Sequence, residues 1–306
     1  MLTRRHLFAA AAAALPLSAK GRIDLPRISA ITDEIAKSSQ DAVAFAKQYG
    51  LRWVELRNVP GQRKEYFTLP EGELRSEAKL LDENGIRVSF LNTSLMKVAI
   101  PGIEPERWTK ETPERREARQ KTESGKFERR LDDLGKALRA ARILGVDKVR
   151  VFTGWRGSDV KAHLPRVAEI INEMAPMAAK EKIFLLVENE GACNVATSTE
   201  LAMLMKMVPS RWVGINWDPL NETSQKEVPY PAGYNLLPKK RIFNVQIKGK
   251  SILDGPQKLD WRAIFDGLVK DGYKGQVGLE THIFGDGQIQ ASHDSMKEIL
   301  KIVSHS

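Results

Sequence analysis

A short unit recurs along this chain: a helix-forming stretch, a glycine, then a brief β-branched or aromatic run. Ala46-Lys47-Gln48-Tyr49-Gly50 leads into Trp53-Val54-Glu55-Leu56, and Leu81-Asp82-Glu83-Asn84-Gly85 leads into Val88-Ser89-Phe90-Leu91. Ala141-Arg142-Ile143-Leu144-Gly145 precedes Val149-Arg150-Val151-Phe152, and Val269-Lys270-Asp271-Gly272 precedes Val277-Gly278-Leu279. Glycine accepts the left-handed backbone just past a helix without a Cβ penalty. The runs that follow read as strands covered on both faces, and helix-to-strand units repeated in this way imply a parallel sheet.

Extending the pattern yields strands at 28–31, 53–56, 88–91, 148–152, 184–187, 213–217, 243–247 and 276–279. Helices fit between them, the first capped by Ser39 or Asp41, others at about 71–84, 162–180, 260–270 and 292–303. Eight strands in alternation predict an α/β fold closed into a (βα)8 TIM barrel, one domain over 21–306. No Gly-x-Gly-x-x-Gly turn follows the first strand, which argues against an open dinucleotide-binding sheet. Two connections are long. Residues 97–126 carry dense mixed charge and are expected to form a solvated helix or a lid. Residues 221–239 hold Pro229, Tyr230, Pro231, Gly233 and Tyr234 and are expected to wall the substrate.

Four of the strands end in residues that can bind a metal: Glu188, Asp218, Gln246 and Glu280. They are spaced by about one βα unit each, so in a barrel the four side chains converge on one mouth. Three carboxylates and one amide oxygen suit a hard divalent cation such as Mn²⁺ or Mg²⁺. Each acid follows an apolar run, an unusual place for a charge unless it is paired or metal-bound.

Composition narrows the class further. Forty-eight Lys and Arg against 39 Asp and Glu leave +9, but the signs are well mixed. The lack of a basic block with interleaved aromatics argues against nucleic acid. One cysteine, Cys193, rules out an internal disulfide framework and a zinc site built on paired thiolates. Residues 1–20 read as a cleavable signal segment: Thr3-Arg4-Arg5-His6-Leu7-Phe8, an alanine run, then Leu15-Pro16-Leu17-Ser18-Ala19. The paired arginines resemble a twin-arginine signal, an export address that implies a periplasmic protein with no stable membrane anchor after cleavage. Cleavage after Ala19 would lower the net charge from +9 to +7 by removing Arg4 and Arg5.

The segments Val187-Glu188-Asn189, Trp217-Asp218-Pro219, Gln246-Ile247-Lys248 and Leu279-Glu280 resemble those of the xylose isomerase-like TIM-barrel family of sugar isomerases and epimerases. The likeness runs from Ile28 to about Val303. It implies that matching positions hold a divalent ion, and that Glu188 and Glu280 double as the pair moving a proton beside a ketose carbonyl. Two positions depart from the family pattern. Gln246 stands where histidine is usual, although related dehydratases of the family also use glutamine there, and Asn221 stands where the epimerases usually carry histidine. Histidines are too few for the zinc cluster of the DNA-repair branch.

Further polar residues near strand ends complete an expected pocket. Glu55, Asn92, Trp155, Arg156, Glu190, Asn221 and His282 are candidates for substrate contact, and Lys248 is a candidate catalytic cation. The expected activity is metal-dependent isomerisation or epimerisation of a small keto sugar or cyclitol. The alternatives are a lyase or dehydratase acting by β-elimination, on a 3-keto-glycoside or of the 3-dehydroshikimate type, and a non-catalytic sugar-binding barrel. Self-association into a homo-oligomer stays open.

Overall fold

In the computed structural model, which describes residues 22–249, 251–253 and 259–304, several of the long helices begin where a short polar side chain satisfies a bare N–H group. Ser38 caps the first long helix, α1 (Ser39–Gln48), by accepting from the Asp41 N–H at 3.1 Å. The sequence reading had placed this cap one to three residues later. The next helices are α2 (Glu71–Glu83), α3 (Pro113–Glu128), α4 (Arg130–Ile143) and α5 (Val160–Glu181). Thr197 and Glu200 form a reciprocal capping box on α6 (Ser198–Met207), and Asp260 caps α7 (Trp261–Lys270). The last helix, α8 (Gln288–Val303), starts four residues earlier than its sequence pattern suggested.

The strands are β1 (Ile28–Ala30), β2 (Trp53–Leu56), β3 (Arg87–Leu91), β4 (Lys148–Val151), β5 (Phe184–Glu188), β6 (Val213–Trp217), β7 (Ile242–Ile247) and β8 (Gln276–Leu279). Each agrees with its expected position to within a residue. Every ladder is parallel, and the order β1-β8-β7-β6-β5-β4-β3-β2 brings the two ends of the sheet together. The ring is drawn shut there by a single parallel bridge between Ile31 and Glu55. The outer core lies between strands and helices. On α5, Leu164, Val167, Ala168, Ile171, Met174, Ala175 and Ala178 form one buried stripe at helical spacing. Full burial of each large side chain contributes about 1.5–3 kcal/mol.

The long connections resolve differently. The first contains α3, whose exposed, charged surface is pinned by two buried residues, Glu123 and Phe127. The backbone leaves helical geometry at Arg129, so α3 and α4 are separate helices. After β6 no long helix follows. Short turns from Pro219 to Leu236 cover that side, with Tyr234 stacked near Trp217 at 5.1 Å between ring centroids.

Candidate metal centre at the barrel mouth

Strand alternation turns every second residue into the barrel. On β7 these are Asn244 and Gln246, followed by Lys248. On β6 they are Asn216 and then Asp218. Glu188 ends β5, Glu280 follows β8, Glu55 lies on β2 and Arg150 on β4. Hydrogen bonds among these side chains place them all inside the ring. Glu188, Asp218 and Glu280 come together at the C-terminal mouth, each offering an oxygen within 4.8 Å of the others, and all three are buried. Three of the four expected ligands therefore converge. The fourth, Gln246, is fully buried and donates its Nε2 to Glu55 at 2.8 Å, which leaves its Oε1 with no partner.

The carboxylates are held by a matching set of cations. Lys248 Nζ lies 2.6 Å from Asp218 Oδ2 and 3.1 Å from Glu280 Oε2. Arg150 Nη1 lies 3.1 Å from Glu188 Oε2, and Asn216 Nδ2 donates to the same oxygen. Arg57 reaches Asp33 at 3.0 Å, Glu34 at 2.8 Å and Glu280 at 3.3 Å. Counted as ionised, the five ion-paired carboxylates face three cations, an excess of negative charge that a divalent cation would offset. Together with the orphaned amide oxygen of Gln246, this donor set fits an oxygen-loving divalent ion. Glu188, Asp218, Gln246 and Glu280 would hold it.

Burial and charge pull the proton affinities apart. Burial raises Glu188 despite the opposing pull of Arg150, and it raises Asp218 despite Lys248. Burial also pushes on Glu280, but Lys248, His282, Arg57 and Arg150 outweigh it and hold the carboxyl well below its usual range. Burial alone would discharge Lys248. Asp218, Glu280 and Glu188 together raise it instead, so the ammonium stays charged.

The expected substrate contacts divide. His282 presents 53% of its side chain to solvent beside Glu280, with Nδ1 3.8 Å from Glu280 Oε1 and its ring edge-on to the exposed Phe284. Glu190 lies at the mouth paired with Lys97 at 3.0 Å. Asn221 donates its Nδ2 to the Asn189 carbonyl, while its backbone N–H reaches Asp218 Oδ1 at 3.0 Å, so it orients that carboxylate. Trp155 gives its indole N–H to Glu123 at 2.8 Å and its ring face to Arg107, anchoring α3 to the loop after β4. Arg156 is spread over both oxygens of Glu200 at 2.7 and 3.1 Å and ties that loop to α6, so its guanidinium is already engaged. Glu55 and Asn92, expected to touch substrate, are wholly buried and bonded to each other at 2.7 Å. Water-excluded packing below the mouth places them in the barrel interior.

Arg150 was missed by sequence reasoning. Its signal was an arginine set between valines in a buried strand, a position that requires a buried counter-charge. It also donates to the Thr93 carbonyl at 3.0 Å and the Asn92 carbonyl at 3.3 Å. Glu34, a polar residue just past β1 that the sequence pattern already places near a strand end, accepts the His282 N–H at 2.9 Å and pairs with Arg57.

Eight parallel strands and a carboxylate cluster at their C-terminal ends define a (βα)8 barrel with a mouth suited to a metal. The chain belongs to the xylose isomerase-like TIM barrel family, whose model matches residues 43–299. Among solved structures it is similar to a 3-keto-D-glucoside 4-epimerase from E. coli, with a TM-score of 0.65 at 14% identity, covering 91% of this chain and 99% of that one. It is similar to a probable 3-DHS dehydratase from Bacillus anthracis, with a TM-score of 0.65 at 16% identity, covering 89% and 98%. A xylose isomerase-like TIM barrel protein from Mycobacterium smegmatis in complex with magnesium gives a TM-score of 0.64 at 15% identity, covering 91% of this chain and 97% of that one. At these identities the likeness establishes the fold. No curated protein sequence matches the chain.

Proposed function

We propose that this protein is a divalent-metal-dependent isomerase or epimerase acting on a small keto sugar or cyclitol. The observation that carries the reading is the convergence of Glu188, Asp218 and Glu280 within 4.8 Å at the barrel mouth. The epimerase and the magnesium-bound barrel among the similar folds support it. A bound Mn²⁺ or Mg²⁺ would polarise the substrate carbonyl and offset the negative charge that develops on it.

The chain's own groups then move the proton. One of Glu188 and Glu280 takes the proton α to the carbonyl, and the electron pair of the broken C–H bond forms the enediolate. The Lys248 ammonium, fixed between Asp218 and Glu280, faces the developing oxyanion with a hydrogen bond. Return of a proton to the opposite face by the other carboxyl gives the epimer. Return to the neighbouring carbon gives the isomer. His282 and Glu190 border the mouth and contact substrate hydroxyls in this reading.

The test is solvent exchange. Purified protein supplied with Mn²⁺ and keto sugars in deuterium oxide should place deuterium on the α-carbon, and Glu188→Gln and Glu280→Gln should each lower that rate by about 10²-fold or more. Full exchange in both variants would refute the proton-transfer assignment. Gln246, together with the dehydratase among the similar folds, favours one second reading, β-elimination. An unsaturated product in the same assay would establish it. The substrate class, export as a periplasmic protein and homo-oligomerisation belong to the same proposal. Residues 1–20, which suggest export, lie outside the described residues. Replacing Arg4 and Arg5 by lysine should keep the protein in the cytoplasm on fractionation.

A further inference from the structure

Glu55 is the buried acid that this mechanism does not use. It rises from β2 into the barrel, fully buried, and no cation pairs with it among the described residues. Four neutral donors surround its carboxylate instead. Ser29 Oγ and Asn244 Nδ2 give to Oε1 at 2.9 and 3.3 Å, while Asn92 Nδ2 and Gln246 Nε2 give to Oε2 at 2.7 and 2.8 Å. The side chain thus reaches from β2 across the interior to β7. Gly278 on β8 leaves it the room, since a Cβ there would stand 1.9 Å from Glu55 Oε1. An acid so placed costs folding free energy, so its contacts bear on what it does.

Those contacts share one feature. Asn92, Asn244 and Gln246 all turn their NH₂ groups to the carboxylate, and all three leave the amide oxygen without a partner. An amide can bond through either end, but an ionised carboxylate only accepts. Glu55 therefore selects the nitrogen end of each neighbour. For Gln246 the consequence reaches the metal centre. The β7–β8 register sets Gln246 beside Gly278, two residues before Glu280, and Lys248 follows on the same face with its ammonium on Asp218 and Glu280.

We propose that Glu55 is a positioning residue that fixes the Gln246 amide so that Oε1, and not Nε2, is presented as a metal ligand. The inference rests on the divalent-metal reading above. A nitrogen-first amide would set N–H hydrogens against a cation, so the orientation decides whether Gln246 binds or repels. Glutamine can serve as a ligand on β7 because a carboxylate from β2 removes its rotational ambiguity.

The test measures Mn²⁺ itself, by isothermal titration and by electron paramagnetic resonance, on wild type, Glu55→Gln, Gln246→Ala and the double variant. Wild type should bind. Glu55→Gln and Gln246→Ala should each weaken Kd by about 10-fold or more, and the double variant should be no weaker than Gln246→Ala alone. A Glu55→Gln protein that folds and binds within twofold of wild type overturns the inference, as does a double variant in which the two losses multiply. Wild-type protein that binds no Mn²⁺ overturns the metal reading and this inference with it. Where Glu55→Gln fails to fold, Glu55→Asp serves in its place. It keeps the charge but draws the carboxylate back by one methylene from Gln246, and it should weaken Mn²⁺ in the same direction.

Discussion

Replacing Arg150 with methionine tests whether the barrel's interior charges are held as a balanced set. Arg150 and Glu188 are 6% and 2% exposed, 3.1 Å apart, and the guanidinium also donates to two carbonyls on the β3 side. Methionine fills much of the volume but removes the charge and every donor. Glu188 would keep only Asn216 as a direct partner, leaving a buried carboxylate without its cation. Breaking one side of a buried pair costs about 3–5 kcal/mol. In a protein of this size that lowers the melting temperature by roughly 10 °C. The assay is urea denaturation with chelator present, so that no metal stands in for the lost charge. Arg150→Met, Glu188→Gln and the double variant complete a cycle, and the double should recover at least about 2 kcal/mol relative to additivity. The pH dependence carries a sign. Without Arg150 the folded-state pKa of Glu188 rises further, so the variant's deficit should be small below the unfolded value and grow as pH rises through the folded one. A cost under about 1 kcal/mol at pH 8, or strict additivity, would refute the reasoning.

Glu222 offers a second pH test: burial pushes it up to about 7 against hydrogen bonds from Ser198 and Trp217. Its contribution is complete below about pH 4.5 and is lost as pH rises through 7, so wild type should lose up to about 3 kcal/mol between pH 5 and 8 that Glu222→Gln does not lose; equal slopes in urea titrations would contradict this. Gly278→Ala places its Cβ against the Glu55 carboxylate and should destabilise by about 1–3 kcal/mol in thermal melts. The matched change Gly135→Ala, whose nearest neighbour is Met177 at 3.9 Å, should not. Mn²⁺ at a hundredfold above its Kd should stabilise the chelator-treated protein by about 2.7 kcal/mol, and Asp218→Asn should abolish most of that gain; an unchanged melting curve would count against the site.

Much of this arrangement was legible in the chain. Strand positions follow from continuous apolar runs flanked by glycine, because a parallel strand is buried on both faces and the helix before it must end in left-handed backbone. The even spacing of Glu188, Asp218, Gln246 and Glu280 reported a shared mouth for the same reason, since successive strands end on one side of a barrel. The partners across the interior were not legible. Glu55 and Asn92 looked like mouth residues, yet strand stagger and the bulge between Val54 and Glu55 set them deeper, where donors from β1, β3 and β7 meet. Arg156 looked available for substrate until the fold brought Glu200 to it. Local pattern encodes which backbone each segment adopts and which face it buries, so the chain alone determined the barrel and the ring of strand ends. Pairings such as Arg150 with Glu188, Lys248 with Asp218 and Glu55 with Gln246 join residues 30 to 191 positions apart, which no local periodicity records. Closing the ring is what brought those charges within ångströms of each other in a low-dielectric interior, and so only tertiary structure decided which of them are paired.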